Sequence, residues 1–229
     1  MTLQRREFSQ ALVALTALGT GILVHAQMAK PVAGTDYMVL ETPASVDAPA
    51  GKVEVIEFFW YSCPHCNAFE PNLSAWVKQL PKDVAFKRVP IAFNASFVPQ
   101  QRLYYALETL GLVEKMHAKV FAAIHVDKLK LATGDAIVEW MGKNGVDSAK
   151  FQTAYNSFGV VTSAQRASQL QNAYKVEGVP ALGIAGRFYT DGQLAKSMER
   201  ALQVVDAHVE DQRPKGAKPA APAKAAKKV

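Results

Sequence analysis

The chain has 229 residues and a formal net charge of +6 at pH 7, and its excess positive charge lies at the two ends. Residues 1–26 carry a net charge of +1 and residues 211–229 a net charge of +5, so the 184 residues between them are neutral. A neutral central region without a Gly-rich phosphate loop is not typical of a protein that binds nucleic acid. A region of this length forms one domain, or one domain that carries an insertion.

The N-terminus has the pattern of a cleaved export signal. A positively charged start, MTLQRREF, precedes the apolar stretch SQALVALTALGTGILV and the small-residue site VHAQ. This order predicts cleavage after about Ala26, and the apolar run is shorter than the roughly 20 residues that a membrane span needs. Arg5 and Arg6, followed by Glu7 and Phe8, also resemble a twin-arginine signal, so Sec and twin-arginine export both stay open.

The first strong structural pattern is a strand that leads into a helix. A short strand candidate, DYMVL, is followed by VEVIEFFW at residues 53–60, whose apolar residues on both faces predict a covered central strand. It ends just before the motif CPHC. Pro64 fits the first turn of a helix, where its missing N–H leaves no bond unmade, and HCNAFEPNLSAWVKQL continues with helical spacing. VAFKRVPI at residues 84–91 predicts the next strand.

The remainder of the chain predicts a helical block followed by a hairpin. Residues 97–173 show helical patterns separated by glycines and polar N-cap residues. PALGI and RFYT, joined at Ala185 and Gly186, predict a hairpin, and LAKSMERALQVVDAHV predicts a last amphipathic helix. This order predicts an α/β fold in which a helical insertion interrupts the sheet. The tail, residues 211–229, has almost no large apolar residues, and we expect it to be disordered.

Cys63 and Cys66 are the two cysteines of the chain. A bridge between residues so close in sequence closes almost no loop, and two thiolates lack the further ligands of a zinc site. Haem attachment requires C-x-x-C-H, whereas Asn67 follows Cys66. A C-x-x-C between a strand and a helix is typical of thioredoxin-type redox sites. The pair therefore predicts redox chemistry.

The position of the pair predicts unequal roles. Cys63 would lie at a helix N-terminus, where unpaired N–H groups and the macrodipole stabilise a thiolate, so we expect it to be the exposed, acidic nucleophile. Cys66, one turn into the helix, would be covered and would resolve the mixed disulfide. His65 is expected to support the Cys63 thiolate through its N–H donors or its charge, and the alternative is a solvent-facing helix residue.

Two segments resemble one family. EFFWYSCPHC is closely similar to the active-site segment of the DsbA thiol:disulfide oxidoreductases, and VEGVPALGIAGRF resembles their Gly-Val-cisPro loop and hairpin. The resemblance implies a thioredoxin-like fold, with residues 27–96 and 174–210 as its two parts and residues 97–173 as an inserted helical domain. It also implies that Pro180 is a cis-proline facing the cysteines, and that Val179 offers its backbone to a bound peptide.

Glu57 interrupts a strand that we expect to be buried, where a carboxylate is costly unless it is paired or protonated. The resemblance implies that it helps to move protons for the buried thiol, and the alternative is an edge position reached by water. The lysine that pairs with this acid in the family does not map cleanly, because Phe86 and Lys87 are both candidates for its position.

Other aromatic and histidine residues have less specific expectations. Trp60 and Tyr61 are candidates for an apolar rim that contacts clients, and the alternative for Trp60 is the core. Three histidines on helical patterns are expected at the surface or at the edge of the core: His117, His125 and His208.

The leading hypothesis is a periplasmic dithiol oxidase. The Cys63–Cys66 disulfide would oxidise a pair of substrate thiols through a mixed disulfide at Cys63, with no metal and no cofactor beyond the disulfide itself. We expect a monomer whose partners are unfolded or reduced exported proteins. The resemblance also implies a membrane quinone-linked oxidase of the DsbB type that reoxidises the pair.

Three alternatives remain. A disulfide reductase or isomerase would be kept reduced by a membrane electron donor, although isomerases of this kind usually carry a dimerisation domain for which the predicted mature N-terminus leaves no space. A peptide-binding chaperone would have non-catalytic cysteines. A glutathione-dependent isomerase on a related fold is the third, and the CPHC motif counts against it.

Overall fold

The computed structural model of the protein describes residues 29–213. The predicted export signal, residues 1–26, and most of the predicted tail lie outside these residues. Within the described range, no helix is long and apolar enough to cross a membrane.

Strands and helices alternate at both ends of the described chain, and helices fill its middle. In chain order the elements are β1 (Met38–Val39), β2 (Val53–Phe59), α1 (Pro64–Val77), β3 (Val84–Pro90), a short 3₁₀ helix (Ala95–Phe97), α2 (Val98–Thr109), α3 (Val113–His125), α4 (Gly134–Lys143), α5 (Ser148–Tyr155), α6 (Phe158–Ala173), β4 (Ala181–Ile184), β5 (Phe188–Asp191) and α7 (Met198–Gln212).

The strands form one mixed sheet in the order β1-β5-β4-β2-β3. β2 runs parallel to β3, to which α1 connects it, and antiparallel to β4. All seven residues of β2 are buried, because Ile56 and Phe58 pack into a core shared with the helical block while Val53 and Val55 pack into a second core with α1 and α7. The prediction of a central strand covered on both faces, and with it the α/β fold class, is confirmed.

Helices α2 to α6 occupy the interval that the sequence predicted as an insertion. Polar residues begin three of them: Thr133, Asp147 and Ser157 each accept a hydrogen bond from a backbone N–H in the first turn of α4, α5 and α6, respectively. These caps are the signals that predicted helix starts. The division of the chain into a two-part domain and an inserted domain stays a prediction.

The last helix differs from its predicted bounds at both ends. It begins at Met198, because the Ser197 side chain accepts a hydrogen bond from the backbone N–H of Arg200 and so caps the helix. It continues to Gln212, so the first two residues of the predicted disordered tail are helical. Arg213 pairs with Asp83 at 2.6 Å, and this contact ties the end of the helix to the residue before β3.

Tyr174, just after α6, connects the end of the helical block to the predicted hairpin of β4 and β5. Its side chain is fully buried, and its hydroxyl accepts a hydrogen bond from the backbone N–H of Gly186 at 3.0 Å. The ring covers Gly183, where an added Cβ would lie 2.5 Å from a ring carbon. Because the hydroxyl is anchored, the ring has little freedom to move aside.

Replacing Gly183 by alanine is therefore expected to destabilise the protein by about 1–3 kcal/mol, the usual cost of overpacking a core. Urea denaturation measures this difference. Gly159→Ala is the matched control, since Gly159 is exposed on α6 with its nearest neighbouring atom 3.9 Å from an added Cβ. The control should gain about 0.5–1 kcal/mol from helix propensity. Equal effects of the two changes would contradict the account of the Tyr174 packing.

Candidate active site

The turn after β2 places Cys63 at the start of α1. The backbone N–H of Cys63 donates to the carbonyl of Trp60 at 3.1 Å, which closes the turn. Cys63 is the N-cap of α1, with extended backbone angles (φ −78°, ψ 118°), and Pro64 occupies the first turn. The Cys63 sulfur accepts the backbone N–H of Cys66 at 3.4 Å, so it lies over the positive end of the helix, as the sequence predicts.

Both cysteines are free thiols, and their environments differ in the expected direction. Hydrogen bonding from the Cys66 thiol, together with the backbone N–H groups of Cys66 and His65, lowers the pKa of Cys63 to about 6, while burial opposes this shift. Burial raises the pKa of Cys66 far above that of an ordinary thiol. Cys63 is therefore the thiol that ionises near neutral pH, and only a thiolate is a good nucleophile.

The expectation that Cys63 is exposed is wrong, because its side chain is almost completely buried. Cys63 is 7% exposed and Cys66 is 0% exposed. The Cys63 thiol donates to the backbone carbonyl of Val179 at 3.3 Å, which shows how closely the loop before β4 covers it. Pro64 and His65 are the exposed residues of the motif, and the charge of His65 makes a small contribution to the lowered pKa of Cys63.

The loop before β4 completes the site from a distant part of the sequence. The peptide bond between Val179 and Pro180 is cis, as the resemblance implies, and the Val179 carbonyl faces Cys63. An open groove of about 1220 Å³ begins beside His65 and these two residues and continues along the loop between β5 and α7. Its walls include Tyr189, Leu194 and Met198. The groove offers space for a peptide next to the thiol pair.

Glu57 lies in the middle of β2 and is 1% exposed. Its register partner on the parallel strand β3 is Arg88, and the guanidinium Nε lies 3.0 Å from Oε2 of Glu57. Neither Phe86 nor Lys87 is the partner, because Lys87 pairs instead with Glu54 at 2.9 Å and with Asp47. The alternation of side chains along β3 explains the correction, since neighbouring residues of a strand point to opposite faces.

The buried carboxyl of Glu57 is largely protonated at neutral pH. Burial is the largest effect and raises the pKa of Glu57 to about 8, Arg88 opposes it, and the charge of Glu70 adds to it. The negative charge of Glu57, when present, also raises the pKa of Cys66. Neither carboxyl oxygen of Glu57 has a hydrogen bond of good geometry within residues 29–213. Glu57 is thus a proton-bearing group whose charge is felt at the buried thiol of Cys66.

Sequence reasoning missed the polar residues that surround Glu57 and the turn. Glu70, one turn after Cys66 on α1, accepts a hydrogen bond from Arg88 at 2.8 Å. His117 is buried rather than peripheral, and its Nδ1 lies 2.8 Å from the Tyr61 hydroxyl. Glu70 could have been found from the sequence. It lies at helical spacing from Cys66 and Leu73, on a face of α1 that is otherwise apolar.

The other two histidines also make specific contacts. His125 is partly buried and donates from Nε2 to the backbone carbonyl of Tyr61 at 2.8 Å. His208 is buried and stacks on Phe188, with ring centroids 4.0 Å apart. Both histidines therefore have packing or tethering roles in α3 and α7, which their helical patterns did not specify.

The helical block also holds the residue before the nucleophile. Gln100 on α2 is buried, and its amide oxygen accepts the backbone N–H of Ser62 at 3.2 Å while its nitrogen donates to the Ser62 hydroxyl at 2.7 Å. Tyr61 is in the core and is therefore not part of an exposed rim. Trp60 is half-buried and packs on Phe97, with ring centroids 4.1 Å apart.

Together these features define a class of protein. A central strand leads to a C-x-x-C at a helix start, and a cis-proline loop from a distant part of the sequence, before the neighbouring strand β4, covers the nucleophile, which is the architecture of a thioredoxin-like redox enzyme. Within the described residues, no three His, Cys, Asp or Glu side chains are placed to hold a metal ion. The acidic thiol beside a buried thiol is suited to thiol–disulfide exchange.

The chain belongs to the DsbA family of thiol:disulfide oxidoreductases. Residues 54–203 match the family described as DSBA-like thioredoxin domain. The thiol:disulfide interchange protein DsbA of Burkholderia cepacia is 44% identical over 184 residues, which are 80% of this chain and 87% of that protein. DsbA of Bordetella parapertussis is 42% identical over 205 residues, 89% of this chain and 96% of that protein.

Solved structures support the same conclusion. The crystal structure of Pseudomonas aeruginosa DsbA matches with a TM-score of 0.76 and 38% identity, over 80% of this chain and 94% of that one. The oxidoreductase DsbA from Xylella fastidiosa matches with a TM-score of 0.74 and 32% identity, over 80% and 97% of the two chains. The thioredoxin-like fold and the oxidoreductase class, which the CPHC motif indicated, are confirmed.

Removing the Cys66 thiol should raise the pKa of Cys63 by more than removing the His65 ring does. In Cys66→Ala the pKa of Cys63 rises, because its strongest hydrogen-bond donor is lost, whereas His65→Leu removes only a more distant charge. We expect a rise of about 1 pKa unit or more for the first change and less for the second, as for the loss of a hydrogen bond to the charged form. The ultraviolet absorbance of the thiolate, followed against pH, measures both values. A larger effect of His65→Leu would contradict this ranking.

The raised pKa of Glu57 predicts a pH dependence of stability. The folded state keeps the Glu57 proton from its ordinary pKa of 4.5 up to about 8, so the wild type loses stability relative to Glu57→Gln as pH rises through that window. The relative loss should be at least about 1.4 kcal/mol, the value of one pKa unit. Urea denaturation of both proteins at several pH values measures it. A pH-independent difference would show that Glu57 titrates normally.

Proposed function

We propose that the protein is a periplasmic dithiol oxidase that introduces disulfide bonds into exported proteins. A substrate thiolate attacks the Cys63 sulfur of the Cys63–Cys66 disulfide. That bond breaks, a substrate–Cys63 disulfide forms, and Cys66 leaves with the electron pair. A second substrate thiolate then attacks the substrate sulfur, and Cys63 leaves as a thiolate. The substrate is oxidised by two electrons, and the Cys63–Cys66 pair is reduced.

The observation that carries this proposal is the position of Cys63 at the N-cap of α1, where its sulfur accepts the Cys66 N–H beside the buried Cys66 thiol; hydrogen bonding from Cys66 lowers the pKa of Cys63 to about 6. A stable thiolate is a good leaving group in the second step, so it favours release of the oxidised substrate. It also stabilises the reduced enzyme, and this makes the disulfide form a stronger oxidant. A reductase or isomerase would instead benefit from a disulfide form that is more stable relative to the dithiol form.

Glu57 is proposed as the proton donor for Cys66. When Cys66 leaves the disulfide as a buried thiolate, its own raised pKa and the pKa of about 8 for Glu57 make transfer of a proton from the carboxyl to the sulfur favourable. Because both groups are buried, the transfer avoids leaving an unpaired charge on the sulfur. Arg88, 3.0 Å from Glu57, can then pair with the carboxylate that remains.

The groove beside the thiol pair is proposed to bind the client. An extended peptide would place its cysteine against Cys63 and pair with the backbone of Val179 before Pro180. Unfolded or reduced exported proteins supply such segments, since their chains are still extended. A DsbB-type membrane quinone-linked oxidase would accept the two electrons and restore the disulfide. The predicted signal at residues 1–26 supports export to the periplasm, where both partners would be met.

The reduction potential of the Cys63–Cys66 pair, equilibrated against glutathione, tests the proposed direction. The pKa of Cys63 is about 6, one unit below the roughly 7 of thioredoxin's nucleophile, so this difference alone should place the potential roughly 20–30 mV above thioredoxin's roughly −270 mV. A potential at or below thioredoxin's would contradict the oxidase and favour a reductase.

A second measurement separates catalysis from peptide binding. The double variant Cys63→Ala/Cys66→Ala should lose all oxidation of a reduced, unfolded protein while still binding it. Full protection of that protein from aggregation, with no oxidation even by the wild type, would instead favour a chaperone.

A further inference from the structure

Two buried carboxyl groups share one guanidinium in this protein. Arg88 lies between Glu57 on β2 and Glu70 on α1, with contacts of 3.0 Å from Nε to Glu57 and 2.8 Å from Nη2 to Glu70. All three side chains are at most about a tenth exposed. One positive charge cannot balance two buried carboxylates, so one of the acids keeps its proton. The surroundings of the two acids decide which one does.

The partners of the two carboxyls are unequal. Oε1 of Glu70 accepts hydrogen bonds from Arg88 and from the Ser74 hydroxyl, and Oε2 of Glu70 faces His117 Nε2 at 3.4 Å. Glu57 has the contact with Arg88 and no hydrogen bond of good geometry in the described part of the chain. Glu70 is thus surrounded by three polar groups, and the larger share of the arginine's hydrogen bonding goes to it.

His117 is placed to maintain this difference. Its ring lies in an aromatic cage of Phe59, Tyr61, Tyr104 and Phe121, with centroids 5.1 to 6.1 Å away. The Tyr61 hydroxyl, 2.8 Å from Nδ1, can donate to that nitrogen, and the proton of a neutral imidazole is then on Nε2, which lies 3.4 Å from Oε2 of Glu70. This 3.4 Å approach is an electrostatic contact rather than a hydrogen bond of good geometry, and within residues 29–213 neither His117 Nε2 nor Glu70 Oε2 has a hydrogen-bond partner.

We propose that His117 is a positioning residue which, by holding the Glu70 carboxylate in its ionised pairing with Arg88, leaves the single exchangeable proton of the buried cluster on Glu57. This inference rests on the proposed function, because the proton on Glu57 is the one that Cys66 is proposed to receive. The directions of the pKa shifts agree with the geometry: the contact with His117 lowers the pKa of Glu70, and the charge of Glu70 raises the pKa of Glu57.

The groups that face this cluster come from five elements and the turn after β2, since Tyr104 on α2 acts on Arg88 and lies in the cage around His117. Those acting on Glu57 are Arg88, Glu70, Cys63 and Cys66. Those acting on His117 are Glu70, Arg88, Glu114 on its own helix, and the hydroxyl of Tyr61. Burial lowers the pKa of His117, so the neutral form that the proposal needs is the one present at neutral pH.

The test measures the pKa of Glu57 directly, from the pH dependence of its carboxyl ¹³C signal in the reduced protein, with Glu57→Gln to identify the signal. His117→Phe fits the aromatic cage but leaves Glu70 without the imidazole. Glu70 should then take the proton and release Arg88 to Glu57, so the pKa of Glu57 should fall by about 1 unit or more, as when a carboxylate gains an arginine partner. His117→Gln keeps an N–H donor and should restore most of the wild-type value.

Two further variants keep the test decisive. Ser74→Ala removes another hydrogen bond to Glu70 and should move the pKa of Glu57 in the same direction, even if His117→Phe does not fold. His208→Phe is the matched control, because His208 is also a buried histidine packed on an aromatic ring, that of Phe188, and neither Glu57 nor Glu70 is among the groups that act on it. It should leave the pKa of Glu57 unchanged.

An unchanged pKa of Glu57 in both His117→Phe and Ser74→Ala would overturn the inference, as would an equal fall in His208→Phe. These outcomes are independent of the proposed function. The pKa of Glu57 is read without a substrate, whereas the oxidase is tested by the reduction potential of the cysteine pair.

Discussion

Two thiols three residues apart have opposite acidities in this protein, and the chemistry of the site depends on that difference. The start of α1 supplies N–H donors to Cys63, while the same turn of helix buries Cys66 against the sheet. A helix N-terminus alone would stabilise a thiolate but would not select one thiol of a pair. Selection comes from burial, because the charged form of Cys66 has no access to water.

Other parts of the fold help to maintain the difference in acidity between Cys63 and Cys66. β2 ends just before the pair and carries the buried Glu57, β3 supplies Arg88, and the loop before β4 covers Cys63 with the Val179 carbonyl. The helical block contributes Gln100 and His125, which hold the backbone of Tyr61 and Ser62 just before the nucleophile. The block therefore does more than cover the sheet, since it fixes the turn on which the position of the sulfur depends.

The parts of the site that could be predicted from sequence are those with local or short-range causes. Strand, proline and C-x-x-C spacing predicted Cys63 at a helix start, and the resemblance to a known family added Val179, Pro180 and Glu57. Arg88 was missed because the pairing of β2 with β3 depends on strand register, which the two segments do not specify by themselves. Glu70 and His117 were missed because their burial follows from packing between α1 and α3, and helical periodicity alone does not reveal which face of each helix meets the other.

The structure stabilises the reduced pair through the Cys63 thiolate. The most direct test compares the free energy of unfolding of the dithiol and disulfide forms across pH. We expect a more stable dithiol form, with an advantage that grows from about pH 6 to 9.0, because the lowered pKa of Cys63 contributes stability that is lost as pH falls through about 6. A disulfide form that is the more stable at neutral pH, by an amount independent of pH, would contradict this expectation.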